Sequence, residues 1–224
     1  MTGPPAHPDA DGEGAPLRLW LARHGETDWN AEGRIQGHCD IPLNARGRGQ
    51  ALELASELVG SGAALVVSSD LRRAAETAEV IAARLSLPLE LTDRLRERNL
   101  GELQGRTAAD IGGASAGFVS RMINDAGSTP AGAETLEGFR GRLGAWLNGV
   151  RARPPATGII VVTHGGCVRA LLLALTGSDQ RDAVPGIANC AVLTVAVDAA
   201  GGRIVAESRP LTDARHTADE LAAG

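Results

Sequence analysis

The sequence predicts an α/β protein, a three-layer α/β/α sandwich whose central sheet is mostly parallel. Two observations carry this. Short apolar runs alternate along the chain with longer segments of helical periodicity, and strands separated by helices pair in parallel with both faces covered. Two of the strand-like runs also end the same way, in a histidine followed by glycine.

The elements follow in order. LRLWLA (17–22) reads as a strand that stops at Arg23, His24 and Gly25. LNARGRGQALELASELVGSG (43–62) reads as an amphipathic helix ending on glycine. ALVVSS (64–69) is a short β-branched strand, and DLRRAAETAEVIAARL (70–85) a helix with Asp70 as its expected N-cap. LPLEL (87–91) is another short strand. Residues 101–132 are rich in Gly and Ser and read as irregular, with one short helix expected over Phe118 to Ile123. AETLEGFRGRLGAWLNGVRA (133–152) is helical, GIIVVTH (158–164) a strongly apolar strand, and GGCVRALLLAL (165–175) the helix after it. CAVLTVAV and RIVAES look like a closing hairpin. Residues 1–16 are Pro-, Gly- and Asp-rich and are expected to form a disordered tail, and 212–224 a polar C-terminal tail. One domain over 17–211 remains, with 101–132 as an insertion capping the site.

Composition removes several function classes. The chain has 224 residues, enough for one domain with a substantial core. It contains no lysine, so its 22 basic residues are all arginines. A Walker A loop and Schiff-base chemistry both require lysine. Arginine grips phosphate or carboxylate oxygens through two N–H groups at once. The net charge of -5 without a basic run argues against a nucleic-acid partner. Cys39, Cys167 and Cys190 lack the spacing of a disulfide framework or a zinc site. No apolar stretch reaches the length of a membrane span, and the N-terminus lacks a signal-peptide pattern. A cytoplasmic protein is expected.

In open α/β sheets ligands bind at the carboxyl ends of strands, where helix N-termini attract anions. His24 and His164 both fall there. Arg72 and Arg73 open the helix after ALVVSS, and Glu97 follows the strand LPLEL. Taken singly, each has an ordinary structural explanation: a hydrogen-bonded histidine, a solvated helix face, a surface ion pair of Glu97 with Arg94 or Arg98. Taken jointly, two histidines, two or three arginines and one carboxylate at one rim suggest phosphoryl transfer. Neutral imidazole attacks phosphorus, arginines hold the equatorial oxygens, and a carboxylic acid protonates the departing alkoxide.

LARHGETDWN resembles the RHG signature of the histidine phosphatase superfamily, also called the phosphoglycerate mutase-like family. GRIQGHCDIPLNARGRGQA, SSDLRRAAETA, LRERNLGELQG, PAGAETLEGF (with Ala133 where Gly is common) and VVTHGGCVRALL resemble its further motifs in order. The resemblance runs from Leu17 to Val197. It implies that His24 becomes a phosphohistidine within a pocket of Arg23, Arg73 and His164, and that Arg73, not Arg72, holds the family's arginine position. Asn30 and the backbone at Gly165 are implied to add hydrogen bonds, and Thr27, Gln36 and Gly37 to line the mouth of the site. Glu97 matches the acid that protonates the leaving oxygen and then deprotonates water. Glu26 and Asp28 read as loop-holding residues. No metal or cofactor is implied; the partner is a small phosphorylated substrate, and a homodimer is compatible with the family.

Mutases of this family carry E-R-H-Y-G at the acid motif, with an arginine pair and a lysine from the capping insertion. Here Glu97-Arg98-Asn99-Leu100-Gly101 keeps the arginine but lacks the histidine and the tyrosine, 101–132 offers Arg106 and Arg121 far apart, and lysine is absent. Water is therefore the expected acceptor, which makes the chain a metal-independent phosphomonoesterase. Arg98 would suit a substrate carboxylate, as in a phosphoglycerate derivative, and keeps a phosphoglycerate mutase as the alternative. A non-catalytic phospho-ligand binder on the same fold is a further one. A cysteine phosphatase is excluded because no cysteine begins a C-x5-R motif, and no HExxH-type ligand spacing supports a metallohydrolase.

Overall fold

The computed structural model describes residues 17–112, 129–153, 157–177, 187–198 and 201–207, the last stretch by its backbone. The tails at 1–16 and 212–224 and the helix expected over Phe118 to Ile123 lie outside the described residues. Among the described residues six strands form one sheet: β1 (Leu17–Arg23), β2 (Leu65–Ser69), β3 (Leu89–Thr92), β4 (Ile159–Thr163), β5 (Val192–Asp198) and β6 (Gly201–Glu207). The described helices are a single turn, α1 (Asp28–Ala31), then α2 (Ala45–Glu57), α3 (Arg72–Leu85), α4 (Leu136–Ala152) and α5 (Gly165–Thr176).

The strand order is β3-β2-β4-β1-β5-β6. The first four are mutually parallel, β5 runs antiparallel to β1, and β6 returns beside β5 as the expected hairpin. Alternating side chains along each strand feed two separate cores. Leu19, Leu21, Ile159, Val161, Leu193 and Val195 pack on one face against Leu143 and Leu147 of α4 and Leu171 and Leu175 of α5. Trp20, Ala22, Val66, Ile160 and Val162 pack on the other against Leu54 of α2 and Ala74, Ala78 and Ile81 of α3. The molecule is the three-layer sandwich the periodicities predict. β4 lies between β1 and β2, and all five of its residues are buried.

Register positions the site. Arg23 pairs with Thr163, so His24 and His164 leave the sheet side by side at the carboxyl edge. The His24 amide donates to the Thr163 carbonyl at 2.9 Å.

Several boundaries shift for local reasons. Asp70 does not cap α3. Leu71 is the N-cap and has no side-chain cap bond; Asp40 instead accepts from the Arg72 amide at 2.7 Å, and Asp70 is taken by Arg96 at 2.7 and 2.5 Å. α4 begins at Leu136, not Ala133, because the Thr135 side chain caps it and Ala133 bridges to Leu100. α2 stops at Glu57, ahead of left-handed Gly60 and Gly62. Pro88 has no N–H to give and lies before β3, accepting from Val66 through its carbonyl at 3.0 Å. The described part of the 101–132 segment is irregular, with 3-10 turns at Gly101–Leu103 and Ala109–Ile111.

Candidate active site

β1 ends in a turn that has no slack. The Gly25 amide donates to Thr77 Oγ1 at 3.1 Å, and the His24 carbonyl accepts from Asn189 Nδ2 at 3.0 Å. A Cβ on Gly25 would lie 2.5 Å from the Gly47 carbonyl oxygen, so α2 can approach the turn only because both residues are glycine. The His24 ring is 3 % exposed, and its Nδ1 lies 2.7 Å from the Gly25 carbonyl. A carbonyl only accepts, so Nδ1 carries the proton and Nε2 of the neutral ring keeps its lone pair. Burial, reinforced by Arg73 and Arg23, holds the ring well below the usual histidine pKa and hence neutral.

Around it stands a cationic frame. Arg73, one residue into α3, is 1 % exposed. Its Nη1 and Nη2 donate to the carbonyls of Cys39 and Gly37, both at 2.8 Å, which fixes the guanidinium plane. Its Nε is buried without a protein partner. Burial pulls its pKa down to about 10, still cationic at neutral pH. Arg23 donates from Nη1 to the Ile187 carbonyl. The His164 ring centroid lies 5.2 Å from that of His24. Its Nε2 meets Ser69 Oγ at 2.9 Å, its Nδ1 is buried without a partner, and burial keeps it neutral too. Leaving polar nitrogens buried and unpaired is costly, and Arg73 and His164 both line an open cleft; a ligand oxygen reaching the Arg73 Nε–H would satisfy it.

The cleft has a volume of about 270 Å³. Arg23, His24, Arg73, His164, Glu97, Asn30, Gln36, Gly37, Arg98 and Gly165 all line it, so ten of the eleven residues expected from the sequence meet there. Thr27 does not. It is fully buried behind the wall as N-cap of α1, where its hydroxyl donates to Asn30 Oδ1 at 3.0 Å and approaches Gln36 Oε1 at 3.1 Å. Thr27 and Asn189 occupy Asn30 Oδ1, so the Nδ2 amino group is what Asn30 has to offer the cleft. Arg72 is exposed and pairs with Glu76.

Glu97 faces the histidines from the β3 side. Its Oε1 accepts from the Arg98 amide at 2.9 Å and its Oε2 from the Gly166 amide at 3.0 Å. Gly166 leaves the room: a Cβ there would lie 2.4 Å from Oε1, whereas at Gly165 it would meet only the Arg23 side chain, no nearer than 3.8 Å. Arg98 is buried, donates from Nε to the Glu134 carbonyl at 2.8 Å, and is lowered in pKa by burial. Glu26 accepts from Asn44 at 3.1 Å and faces α2, as a loop-holding residue would.

Sequence reasoning missed Arg34, Leu100, Phe139, Arg169 and Ile187, which also line the cleft. Arg169 stands four residues after Gly165, on the same helix face, and that spacing could have found it. Phe139 and Ile187 come from distant segments and carry no local signal. Among the described residues, no group of three His, Cys, Asp or Glu side chains could hold a metal ion.

The family model of the histidine phosphatase superfamily (branch 1) matches residues 19–209. The chain belongs to that superfamily. Within it, a probable phosphoglycerate mutase of Escherichia coli O1:K1 / APEC is 35% identical over 170 residues, 74% of this chain and 79% of that protein. A mycobacterial glucosyl-3-phosphoglycerate phosphatase, solved as a complex with VO3, is 32% identical with a TM-score of 0.75, covering 84% of this chain and 97% of its own. A putative alpha-ribazole-5'-P phosphatase of Escherichia coli is 29% identical with a TM-score of 0.75, covering 88% and 99%. The histidine phosphatase relatives of this chain thus include proteins named for both hydrolysis and mutase chemistry. No described helix is long and apolar enough to cross a membrane.

Proposed function

We propose that this chain is a metal-independent phosphomonoesterase acting on a small phosphorylated metabolite through a phosphohistidine on His24. The observation that carries the reading is the His24 ring itself, neutral, with Nδ1 committed to Gly25 and Nε2 open toward a cleft framed by arginine. Nε2 attacks phosphorus, the N–P bond forms and the ester P–O bond breaks. Glu97, protonated at that moment, gives its proton to the departing oxygen. Arg23, Arg73, His164, Asn30 and the first turn of α5 at Gly165 bind the phosphoryl oxygens; the arginines supply the positive charge that a metal would otherwise provide. Water then attacks the phosphohistidine and loses its proton to Glu97, the N–P bond breaks, and inorganic phosphate leaves a neutral His24. The vanadate held by the mycobacterial phosphatase fits the same oxygen-rich demand.

A phosphoglycerate mutase is the second reading. The 35% identity to a probable mutase favours it, as does Arg98 in the cleft. Leu100 stands where mutases of the family have tyrosine, which favours water as acceptor. We further propose one domain over 17–211, with the segment 101–132 choosing the substrate, and a cytoplasmic location.

Phosphate release from p-nitrophenyl phosphate, 3-phosphoglycerate and sugar phosphates, with chelator present, tests this. Wild type should release phosphate undiminished by chelator. His24→Ala should lose at least about 1,000-fold, as removal of a nucleophile does. Interconversion of 2- and 3-phosphoglycerate on addition of a bisphosphate primer, without net release, would establish the mutase instead.

A further inference from the structure

The stretch PAGAETLEGF takes no part in the chemistry above, yet its Glu134 is built into the wall behind Glu97. Arg142, two turns into α4, donates from Nε and Nη2 to the two carboxylate oxygens of Glu134 at 3.1 and 2.8 Å. The same guanidinium then reaches the turn that carries Glu97. Its Nη1 donates to the carbonyls of Asp93, Arg94 and Arg96 at 3.4, 2.8 and 2.9 Å, and its Nη2 to the carbonyl of Glu97 at 3.3 Å. From the other side, the Glu134 amide donates to the Asn99 carbonyl at 2.9 Å and its carbonyl accepts from Arg98 Nε at 2.8 Å. One residue pair therefore holds the backbone on both flanks of Glu97.

The consequence is geometric. Carbonyls at 93, 94, 96 and 97 converge on one cation, which bends the turn toward α4. The Glu97 side chain is left to point the opposite way, onto the Arg98 and Gly166 amides and into the cleft. Only a planar fork of several N–H groups serves a carboxylate and four carbonyls together; an ammonium has too few donors and the wrong shape. Both side chains are about one-fifth exposed, at 20% and 21%, so water competes little for these bonds.

We infer that Arg142, seated by Glu134, is a positioning residue that aims Glu97 at the leaving-group oxygen. This rests on the phosphomonoesterase reading of the cleft. A proton donor matters most when the leaving group is a poor one. The test compares an aryl ester, p-nitrophenyl phosphate, whose phenolate departs unaided, with an alkyl ester, glycerol phosphate, whose alkoxide does not. The parameter is kcat/KM, which covers phosphoryl transfer to His24 and omits the later hydrolysis of the phosphoenzyme.

For Arg142→Met we expect kcat/KM to fall about 100-fold on the alkyl ester and about threefold on the aryl ester. Inhibition by inorganic phosphate should stay at its wild-type strength, because the phosphate pocket is untouched. Arg142→Lys should remain nearly as impaired, since it restores charge without the fork. Equal losses on the two esters, weakened phosphate inhibition, or full rescue by lysine would overturn the role. Should Arg142→Met fail to fold, Glu134→Gln decides: a selective loss of about tenfold on the alkyl ester supports the role, and an equal or absent loss removes it. A wild-type protein inert toward both esters would overturn the phosphomonoesterase reading and this role with it. An active wild type with unselective variants would remove Arg142 alone.

Discussion

Arg72 reaches Glu76 on the exposed side of α3, whereas its neighbour Arg73 is buried and spends two N–H groups on the carbonyls of Gly37 and Cys39. Chain adjacency says nothing of this difference; helix phase does, because successive residues turn by about 100°. Replacement of Arg73 by lysine should therefore cost far more than a charge-conserving change suggests. One ammonium cannot hold both carbonyls and an anion in a plane, and kcat/KM should fall by about 100-fold with little change in Tm. Steady-state kinetics beside a thermal melt checks this, and an unchanged kcat/KM would remove Arg73 from the reaction. At this scale the sequence was highly legible. His24, Arg73, Glu97 and His164 were all expected at one rim, and the structure brings them around one cleft. Thr27 was legible as a residue of the site but not in its position, because its place behind Asn30 depends on the cap it makes for α1.

The elements carry the tolerances. Gly47 opens α2 against the turn after His24, and a Cβ there would lie 2.0 Å from the Glu26 carbonyl oxygen. Two residues on in the same helix, a Cβ at Gly49 would meet nothing within 4 Å. Gly47→Ala should lose about 2 kcal/mol of stability through backbone overlap, and Gly49→Ala should gain about 0.5 kcal/mol through helix propensity. Denaturant unfolding of the two variants gives both signs, and equal values would mean that α2 moves away freely. Element type was readable from period and punctuation. Boundaries were less so, since they depend on partners. Asp70 has the right residue type and place for an N-cap, yet Arg96 claims both its oxygens from a segment 26 residues away.

The whole molecule stores two neutral imidazoles out of water. Burial holds both His24 and His164 well below their ordinary value of 6.5. In the unfolded chain both rings titrate near that value; in the folded chain they resist the proton. Below it the unfolded state binds more protons, so stability is complete above about pH 6.5 and declines as pH falls toward the folded-state values. The slope should be on the order of 1 kcal/mol per pH unit for each ring. Thermal melts between pH 7.5 and pH 5 should show it, with a shallower slope in His164→Asn. A flat wild-type profile over that range would mean the rings take up protons without unfolding.

What the sequence determined by itself is the architecture and which histidines, arginines and carboxylate meet at one cleft. Strand and helix periods are local, and so is the placing of a histidine before glycine at the end of a buried strand. What only the tertiary structure decided is orientation. The Gly25 carbonyl selects the His24 tautomer, Gly166 leaves space for Glu97, and Arg142 gathers a turn some 45 residues before it in the chain. Each of these is a contact between segments whose distance in the chain, or whose backbone direction, no local pattern encodes.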